Sequence, residues 1–233
     1  PNIKYQSHIQ DIGWQGVKTN GQLSGTTGQS KRMEAMMIAV DNLPVSGGIE
    51  YRSHVQDIGW QGYVANNAMT GTMKQSKRME ALSIRLTGEM AQHFDVYYQV
   101  HAKNFGWLDW TSNGQNAGTA GFSYQLESIE IQLVKKGAAS PGQVKRPFVQ
   151  YKQPTVSYQS HVQDKGWQAL STNGQTNGSI GQSKRVEAIK VNVNNAPVSG
   201  SIEYRTHVQN IGWQKYVANN QLSGTTGQSK RVE

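Results

Sequence analysis

Apolar and polar side chains alternate with a period of two in short blocks of this chain. In residues 49–56 the odd positions are apolar or small and the even positions are polar, which is the pattern of a strand with one buried face. In residues 81–86 the apolar positions are Leu82, Ile84 and Leu86, and they predict a second strand. Residues 60–64 predict a short strand between these two, and no segment keeps a helical period. The pattern therefore predicts an all-β fold.

Two sequence blocks occur five times along the chain. The first block runs from Tyr51 to Trp60 in its clearest copy, and the five copies end at Trp14, Trp60, Trp107, Trp167 and Trp213. The second block is of the type Gly-Thr-Thr-Gly-Gln-Ser-Lys-Arg-Met-Glu, and its copies end at Glu34, Glu80, Glu127, Glu187 and Glu233. Successive copies are about 46 residues apart, with one longer gap before Trp167. The chain therefore contains five repeats, numbered one to five from the N-terminus.

The repeats are expected to pack on one another, because a single repeat of three short strands cannot bury its own apolar face. Three repeats around a common axis can bury their apolar faces against one another. The sequence therefore predicts a pseudo-threefold repeat domain of the β-prism or β-trefoil type. Residues 44–51 match residues 197–204, so repeats one and two correspond to repeats four and five.

This duplication predicts two units. Repeats one to three form the first unit in residues 1–136, and repeats four and five form a second, incomplete unit in residues 156–233. The second unit ends at Glu233, before a counterpart of residues 81–86, and is expected to be truncated. Residues 137–155 contain three prolines and no acidic residue, and this basic segment is expected to be an extended linker.

The composition narrows the chemistry of the chain. It has 23 Lys and Arg against 15 Asp and Glu, a formal net charge of +8, and no Cys. The absence of Cys excludes disulfides, thiol nucleophiles and thiolate metal sites. No segment approaches the ~18 consecutive apolar residues that a membrane helix needs, so no membrane insertion is expected. The positive charge favours polyanionic partners such as wall polymers, nucleic acid or acidic lipids.

The five tryptophans that end the first block have two interpretations. The favoured one is a core anchor, because large aromatic residues dominate cores and a glycine precedes each tryptophan. The other is an exposed ring that stacks on a sugar. A second aromatic residue lies three positions later in three repeats only, and this variability predicts exposure and ligand binding. The aromatic candidates for ligand binding are Trp14, Trp60, Tyr63, Trp107, Trp110, Trp167, Trp213 and Tyr216.

Each repeat also carries a histidine on the polar side of its first strand. In four repeats a glutamine follows two positions later, and side chains spaced i, i+2 share one face, where they could bracket sugar hydroxyls. The alternative is a histidine that donates to a carbonyl or carboxylate at a strand end. One histidine per repeat is too few for a metal site, and neither a metal nor a cofactor is expected. The polar candidates for ligand binding are His8, Gln10, His54, Gln56, His101, His161, Gln163, His207 and Gln209.

The second block ends in an Arg-x-Glu pair. Glu80 is an even-numbered position, as are the apolar residues Leu82, Ile84 and Leu86. Its side chain is therefore expected to point inward with theirs, unless a β-bulge resets the register. Buried charges are normally paired, and these residues are therefore expected to be structural ties. They are Arg32, Glu34, Arg78, Glu80, Glu127, Arg185, Glu187, Arg231 and Glu233.

Catalysis is not expected of this chain. An enzyme needs one asymmetric constellation, whereas each conspicuous polar residue here occurs in four or five copies. The sequence has no Gly-x-Ser-x-Gly motif, no His-Glu-x-x-His motif and no phosphate-binding glycine loop.

The two blocks together resemble a known repeat family. Tyr-x-x-His-Val-Gln-x-x-Gly-Trp-Gln, followed by Gly-Thr-x-Gly-Gln-Ser-Lys-Arg-x-Glu-Ala, is similar to the clostridial hydrophobic W (ChW) repeat over residues 5–133 and 157–233. The resemblance implies an extracellular or cell-surface protein of a Gram-positive bacterium, or one delivered by its phage. Such repeats often accompany wall hydrolases, glycosidases or adhesion modules. Repeat three departs from the motif at Ala102, Lys103, Leu108 and Gln125.

These observations favour a non-catalytic module that binds cell-wall polysaccharide, peptidoglycan or an anionic wall polymer through repeated shallow sites. The alternative is a structural or adhesive spacer, or the targeting part of a larger wall hydrolase or adhesin, that contacts protein partners. Nucleic-acid binding ranks last, because the aromatic residues cluster in the Gly-Trp block rather than beside the Ser-Lys-Arg segment.

Overall fold

The computed structural model of the protein describes residues 1–196 and 199–233. It divides into a first unit, Pro1–Tyr151, and a second unit, Lys152–Glu233. Nearly all regular structure is β-strand, and the helix in the described residues is a single turn, Met90–His93. The all-β prediction is confirmed. No sheet among the described residues closes on itself as a barrel, and the choice between a prism and a trefoil stays a prediction.

The strands of the first unit follow the repeats. Repeat one contains β1 (Asn2–Ile9), β2 (Gly13–Trp14), β3 (Lys18–Thr19), β4 (Ser24–Gly25) and β5 (Met33–Asp41). Repeat two contains β6 (Gly48–Val55), β7 (Gly59–Trp60), β8 (Val64–Ala65), β9 (Thr70–Gly71) and β10 (Met79–Thr87). After helix α1 (Met90–His93), repeat three contains β11 (Phe94–Ala102), β12 (Gly106–Trp107), β13 (Thr111–Ser112), β14 (Asn116–Ala120) and β15 (Leu126–Lys135). The last strand of the unit is β16 (Phe148–Gln150).

Each repeat is built on one long antiparallel pair. In repeat two the pair is β6 and β10, and the short strands β7 and β8 add to the free edge of β6. Residues along β6 alternate between half-buried and buried, as the period-two pattern predicts. The two long strands therefore bury one face and leave the polar face of β6 accessible.

Residues 60–64 do not form the single short strand expected from the sequence. Trp60 ends β7 and Val64 begins β8, and residues 61–63 between the two strands leave the ladder. The Gln61 amide acts as the missing partner here, because its Oε1 accepts from the backbone N–H of Gly71 at 2.7 Å and its Nε2 donates to the Gly71 carbonyl at 3.2 Å. A side-chain amide has the same donor and acceptor as a peptide group, so Gln61 bonds the backbone N–H and C=O of Gly71 as a neighbouring strand would.

The three repeats of the first unit exchange short strands in a cycle. β9 of repeat two pairs with β5 of repeat one, β14 of repeat three pairs with β10 of repeat two, and β4 of repeat one pairs with β15 of repeat three. The backbones meet closely at glycines such as Gly71, where an added Cβ would collide with the backbone oxygen of Glu34 and where φ is +94°. Only glycine tolerates both conditions. Each repeat thus completes the sheet of its neighbour.

A tyrosine in each repeat spans the same junctions. The hydroxyl groups of Tyr51, Tyr98 and Tyr5 accept from the backbone N–H groups of Ile38, Ile84 and Ile131 at 2.9, 3.1 and 3.3 Å. Each hydroxyl also donates to a backbone carbonyl of its own repeat. These tyrosine rings are fully buried, and burial raises the pKa of Tyr5 to about 12. The core of the unit therefore contains one tyrosine from each repeat.

The segment 137–155, for which the sequence predicts an extended linker, contains a strand. β16 pairs in parallel with β14, Gly118 opposite Phe148, and the Tyr151 N–H donates to the Ala120 carbonyl at 2.8 Å. The first unit accordingly extends to residue 151 instead of ending at 136. The free edge of β14 is the physical reason, since an unpaired edge accepts any extended segment that reaches it. Basic and proline-rich composition does not reveal such an edge.

The second unit repeats the same pattern with fewer buried residues. Its strands are β17 (Thr155–Val162), β18 (Gly166–Trp167), β19 (Ser171–Thr172), β20 (Val186–Asn194), β21 (Glu203–Tyr204), β22 (His207–Val208), β23 (Gly212–Trp213), β24 (Val217–Ala218) and β25 (Ser223–Gly224). β25 of repeat five pairs with β20 of repeat four, as β9 pairs with β5. The buried hydrophobic residues in the described part of this unit are Val162, Ala188 and Val208.

Candidate functional site

A β-bulge places the glutamate of each second block. In repeat two Ala81 pairs with His54 and Met79 pairs with Val55, so Glu80 is the extra residue between them. The bulge resets the register, as the sequence allowed, and the Glu80 carboxylate contacts His54 on the next strand. Glu80 is only 5% exposed, so its charge needs partners close by.

Both oxygens of this carboxylate are engaged. Glu80 Oε1 accepts from Arg78 Nε at 2.8 Å, and Oε2 lies 3.0 Å from His54 Nδ1. The same arrangement occurs in the other repeats, with the histidine Nδ1 between 3.1 and 3.4 Å from the glutamate at His8–Glu34, His101–Glu127, His161–Glu187 and His207–Glu233. The arginine partners are Arg32, Arg185 and Arg231.

Repeat three lacks the arginine, and there Gln125 Nε2 donates to Glu127 Oε1 at 3.1 Å. In repeat four the contact with histidine is a hydrogen bond between His161 Nδ1 and Glu187 Oε2, whereas in repeats one to three the histidine Nδ1 is buried close to the carboxylate without hydrogen-bond geometry. A glutamate carboxylate therefore lies against the histidine in all five repeats. This is the carboxylate contact that the sequence offered as the alternative to sugar binding by histidine.

The five tryptophans lie beside these histidines and outside the hydrophobic core. Each tryptophan pairs across the strand with the histidine, as His54 does with Trp60, and the two rings meet edge to face with centroids 5.4 to 5.6 Å apart. Trp213 is 62% exposed and Trp107 is 38% exposed, and Trp14, Trp60 and Trp167 are half-buried. The fully buried aromatic residues are Tyr5, Tyr51 and Tyr98 instead. The tryptophans sit on two-residue edge strands, and each keeps part of its surface exposed to solvent.

Two repeats place a guanidinium group on the tryptophan. Arg52 Cζ lies 4.8 Å from the centroid of Trp60 and 4.7 Å from that of Tyr63. In repeat five, Arg205 Cζ lies 4.7 Å from Trp213 and 4.6 Å from Tyr216. These are cation–π distances. The arrangement fixes a positive charge between two aromatic side chains on the sheet surface.

The aromatic residues three positions after the tryptophan differ in burial from repeat to repeat. Trp110, expected to be an exposed ligand-binding aromatic, is only 8% exposed, because residues 142 and 143 of the following segment cover it. Tyr216 is 61% exposed and Tyr63 is half-buried, with its hydroxyl 3.0 Å from Ser83 Oγ. The side chain at this position is thus a surface residue in repeats two and five and a buried residue in repeat three.

The glutamines two positions after the histidine do not share a strand with it. The first long strand ends one residue earlier, at Val55 in repeat two, and Gln56 lies in the turn that follows, where its backbone N–H donates to the Arg78 carbonyl at 3.0 Å. Gln10, Gln163 and Gln209 make the same backbone bond. The face-sharing argument therefore stops at the end of the strand, and the histidine and glutamine do not form a pair on one face.

Repeat one has a cleft where repeat two has the cation–aromatic stack. The cleft has a volume of about 340 Å³, and Gln6 and Val17, which stand at the positions of Arg52 and Tyr63, are among its lining residues. The smaller side chains leave this space open.

The sequence pattern missed the arginines of repeats two and five. Arg52 and Arg205 stand two residues before the histidine on the polar face, where the other repeats have glutamine. The signal was the joint occurrence of arginine at this position and tyrosine three residues after the tryptophan, in these two repeats only.

The described residues contain no group of three or more His, Cys, Asp and Glu side chains arranged for a metal ion. In the same part of the chain, no helix has the length and apolar character needed to cross a membrane.

Comparison with known families gives one match. The family model described as Clostridial hydrophobic W matches residues 8–42, 54–88, 101–135, 161–195 and 207–233. These segments begin at the five histidines and cover well over half of the chain. No curated protein and no solved structure compared with the chain matches it.

Proposed function

The chain belongs to the clostridial hydrophobic W family, and on this premise we propose that it is a non-catalytic module that binds bacterial envelope polysaccharide through repeated shallow sites. The observation that carries the proposal is the position of the five tryptophans. All of them lie outside the core, at the same edge of each repeat, beside a histidine that a glutamate holds in place. A rigid aromatic ring at a surface edge suits packing against the apolar face of a sugar.

The repetition of the site supports binding rather than catalysis. Single weak sites gain strength by number, since linking two of them raises avidity by roughly 10²–10⁴ without new contacts. The histidine–glutamate pair is also an unsuitable acid–base pair here. Both oxygens of Glu80 already have partners in Arg78 and His54, and the same tie recurs in every repeat. We therefore assign these residues to holding the tryptophan in position.

The net charge of +8 suits a wall that carries anionic polymer. A protein with this role would be located outside the cell or on the surface of a Gram-positive bacterium, or be delivered there by a phage. It would act as the targeting or attachment part of a larger wall hydrolase or adhesin.

A second candidate function is a spacer that contacts protein partners. The observation that favours it is an exposed isoleucine at the turn before the tryptophan in three repeats, at Ile12, Ile58 and Ile211. Exposed apolar side chains next to an aromatic ring are typical of protein interfaces as well as of sugar sites.

Co-sedimentation of the full chain with purified Gram-positive cell walls tests the first proposal against the second. The walls are used before and after protease treatment, at physiological salt. Polysaccharide binding predicts equal retention on both preparations, whereas a protein partner predicts loss of retention after the protease. Failure to bind either preparation would contradict both functions.

Variants identify the surface that binds. We expect Trp107→Ala combined with Trp213→Ala to weaken retention at least tenfold, because these are the two most exposed tryptophan rings. Ile180→Ala is the control, since Ile180 is an exposed apolar residue that belongs to none of the five histidine–tryptophan pairs. It should leave retention unchanged.

A further inference from the structure

We infer that repeats two and five carry a site for an anionic group on a polyhydroxylated polymer, with Arg52 and Arg205 as the residues that bind the anion. The inference rests on the proposed function, because it names the ligand class of the same surface. It adds that the five repeats are not equivalent. Each unit carries one such site.

The first argument is the geometry of the guanidinium groups. Arg52 lies within 4.8 Å of the ring centroids of Trp60 and Tyr63, and Arg205 lies within 4.7 Å of those of Trp213 and Tyr216. Stacking on two rings restricts the rotamers of a long side chain before any ligand arrives. A preorganised donor loses less entropy on binding, and the planar guanidinium keeps its fork of N–H groups available at its edge.

The second argument is that Arg52 and Arg205 have no acidic partner among the described residues. The four arginines of the second block each pair with a glutamate at 2.8 Å. Within residues 1–196 and 199–233, neither Arg52 nor Arg205 forms an ion pair with any acidic group. Arg52 is half-buried and its Nε has no hydrogen-bond partner, and Arg205 is exposed. Both guanidinium groups thus retain donors for an external oxyanion.

The third argument is the chemistry of the neighbours. Arginine binds phosphate and carboxylate oxygens in a bidentate manner, and the adjacent tryptophan offers an apolar surface to a sugar ring. Arg85 lies on Tyr63 at 4.0 Å, but Glu50 pairs with it at 2.7 Å, so it contributes little net charge. A phosphodiester and a uronic acid both present the required oxyanion beside hydroxyl groups. A neutral polymer lacks it.

The remaining repeats lack the site. At the position of Arg52 they have glutamine, and Gln99 Nε2 donates to Glu130 at 2.7 Å. At the position of Tyr63 they have Val17, the buried Trp110 and Leu170. In repeat four Lys190 Nζ lies 4.8 Å from the ring centroid of Trp167, but this ammonium group contacts a single ring and has no planar fork of N–H donors. None of these three repeats places an arginine between two aromatic rings.

Affinity electrophoresis of the full chain tests the inference. Native gels contain poly(glycerol phosphate), polygalacturonate or a neutral β-glucan, and retardation is measured against polymer concentration. We expect retardation by at least one anionic polymer, and a loss of at least tenfold in affinity in the variant Arg52→Gln/Arg205→Gln. The variant Lys145→Gln/Lys152→Gln removes the same charge from two exposed lysines and should bind as the wild type does. The two anionic gels report which oxyanion is preferred.

A graft provides the converse test. Gln6→Arg with Val17→Tyr builds the stack into the cleft of repeat one, and we expect tighter binding to the same anionic polymer. If Arg52→Gln/Arg205→Gln fails to fold, as judged by its thermal transition, the graft decides. Tighter binding supports the inference and unchanged binding overturns it.

The remaining outcomes separate this inference from the proposed function. Equal binding by the wild type and a folded Arg52→Gln/Arg205→Gln variant overturns the inference, as does an equal loss in the lysine control. Retention on purified walls with no retardation by either anionic polymer also overturns it, and leaves the proposed function standing. No retention on walls contradicts the proposed function itself.

Discussion

The tyrosine junctions of the first unit allow a quantitative test of the strand-exchange cycle. Tyr98 is buried, its hydroxyl accepts from the Ile84 N–H of the neighbouring repeat at 3.1 Å, and it donates to the Gln115 carbonyl. Burial raises the pKa of Tyr98 above its ordinary range, so the hydroxyl stays protonated and donates at any ordinary pH. Tyr98→Phe removes this one oxygen and keeps the ring.

The expected loss follows from the two bonds. A hydrogen bond contributes about 0.5–1.5 kcal/mol net, and a buried group left without a partner costs about 1–3 kcal/mol. Ile84 N–H loses its acceptor and Gln115 loses a donor. The free energy of unfolding of the first unit should therefore fall by about 2–4 kcal/mol.

Tyr158 in the second unit is the matched control. It stands at the same position of repeat four, its hydroxyl donates to the Gln175 carbonyl, and it is only half-buried. Tyr158→Phe should cost less than about 1 kcal/mol, because water can replace the lost bond. Both variants are measured in the full chain by denaturant unfolding and by amide hydrogen exchange.

Hydrogen exchange gives the more specific result. In Tyr98→Phe the Ile84 amide should exchange much faster, while the corresponding amides Ile38 and Ile131 change less because Tyr51 and Tyr5 still cover them. An unchanged Ile84 amide, or an equal loss of stability in both variants, would refute the role of the tyrosine hydroxyl at the junction.

Three further predictions concern the glycines, the buried glutamate and the pH dependence, and denaturant unfolding of the full chain checks each. Gly71→Ala should abolish the unfolding transition of the first unit, because its Cβ would collide with the neighbouring repeat, whereas Gly62→Ala meets no atom within 4 Å and should be near neutral. Glu80→Gln should cost about 3 kcal/mol, as expected when a buried charged group is lost from its partners, whereas loss of the exposed Asp57–Lys77 pair in Asp57→Asn should cost less than about 1 kcal/mol. Burial raises the pKa of Asp95, but its hydrogen bonds outweigh this effect and leave the pKa below 3.8. Stability from this group is therefore complete above pH 3.8 and is lost as the pH falls through the folded-state pKa, and Asp95→Asn should flatten that part of the pH profile.

Much of the fold could be predicted from the sequence, because period-two alternation and five repeats constrain it strongly. The alternation in β6 identifies the buried positions, including Tyr51 and Val55. The sequence did not reveal β16, which depends on a free edge of β14. It also did not reveal that Gln61 replaces a strand pairing, because an amide side chain that mimics a peptide group has no periodic signal.

The site was harder to predict for a physical reason. Trp60 and Tyr51 are both large aromatic residues in the same block, and only the geometry distinguishes the two. Tyr51 lies on the inner face of a long strand, and Trp60 lies on a two-residue edge strand. Trp110 is buried although it was expected to be exposed, because a later segment of the chain covers it. Burial by a distant segment leaves no trace in local spacing.

The central claim is that repeated surface sites bind polysaccharide without cleaving it, and calorimetric titration with a soluble wall polysaccharide fragment of defined length measures it most directly. We expect more than one fragment per full chain, fewer bound fragments in the Trp107→Ala/Trp213→Ala variant, and an unchanged fragment length after prolonged incubation. A single saturating site that this variant leaves intact, or shortened fragments in the mixture, would contradict the claim.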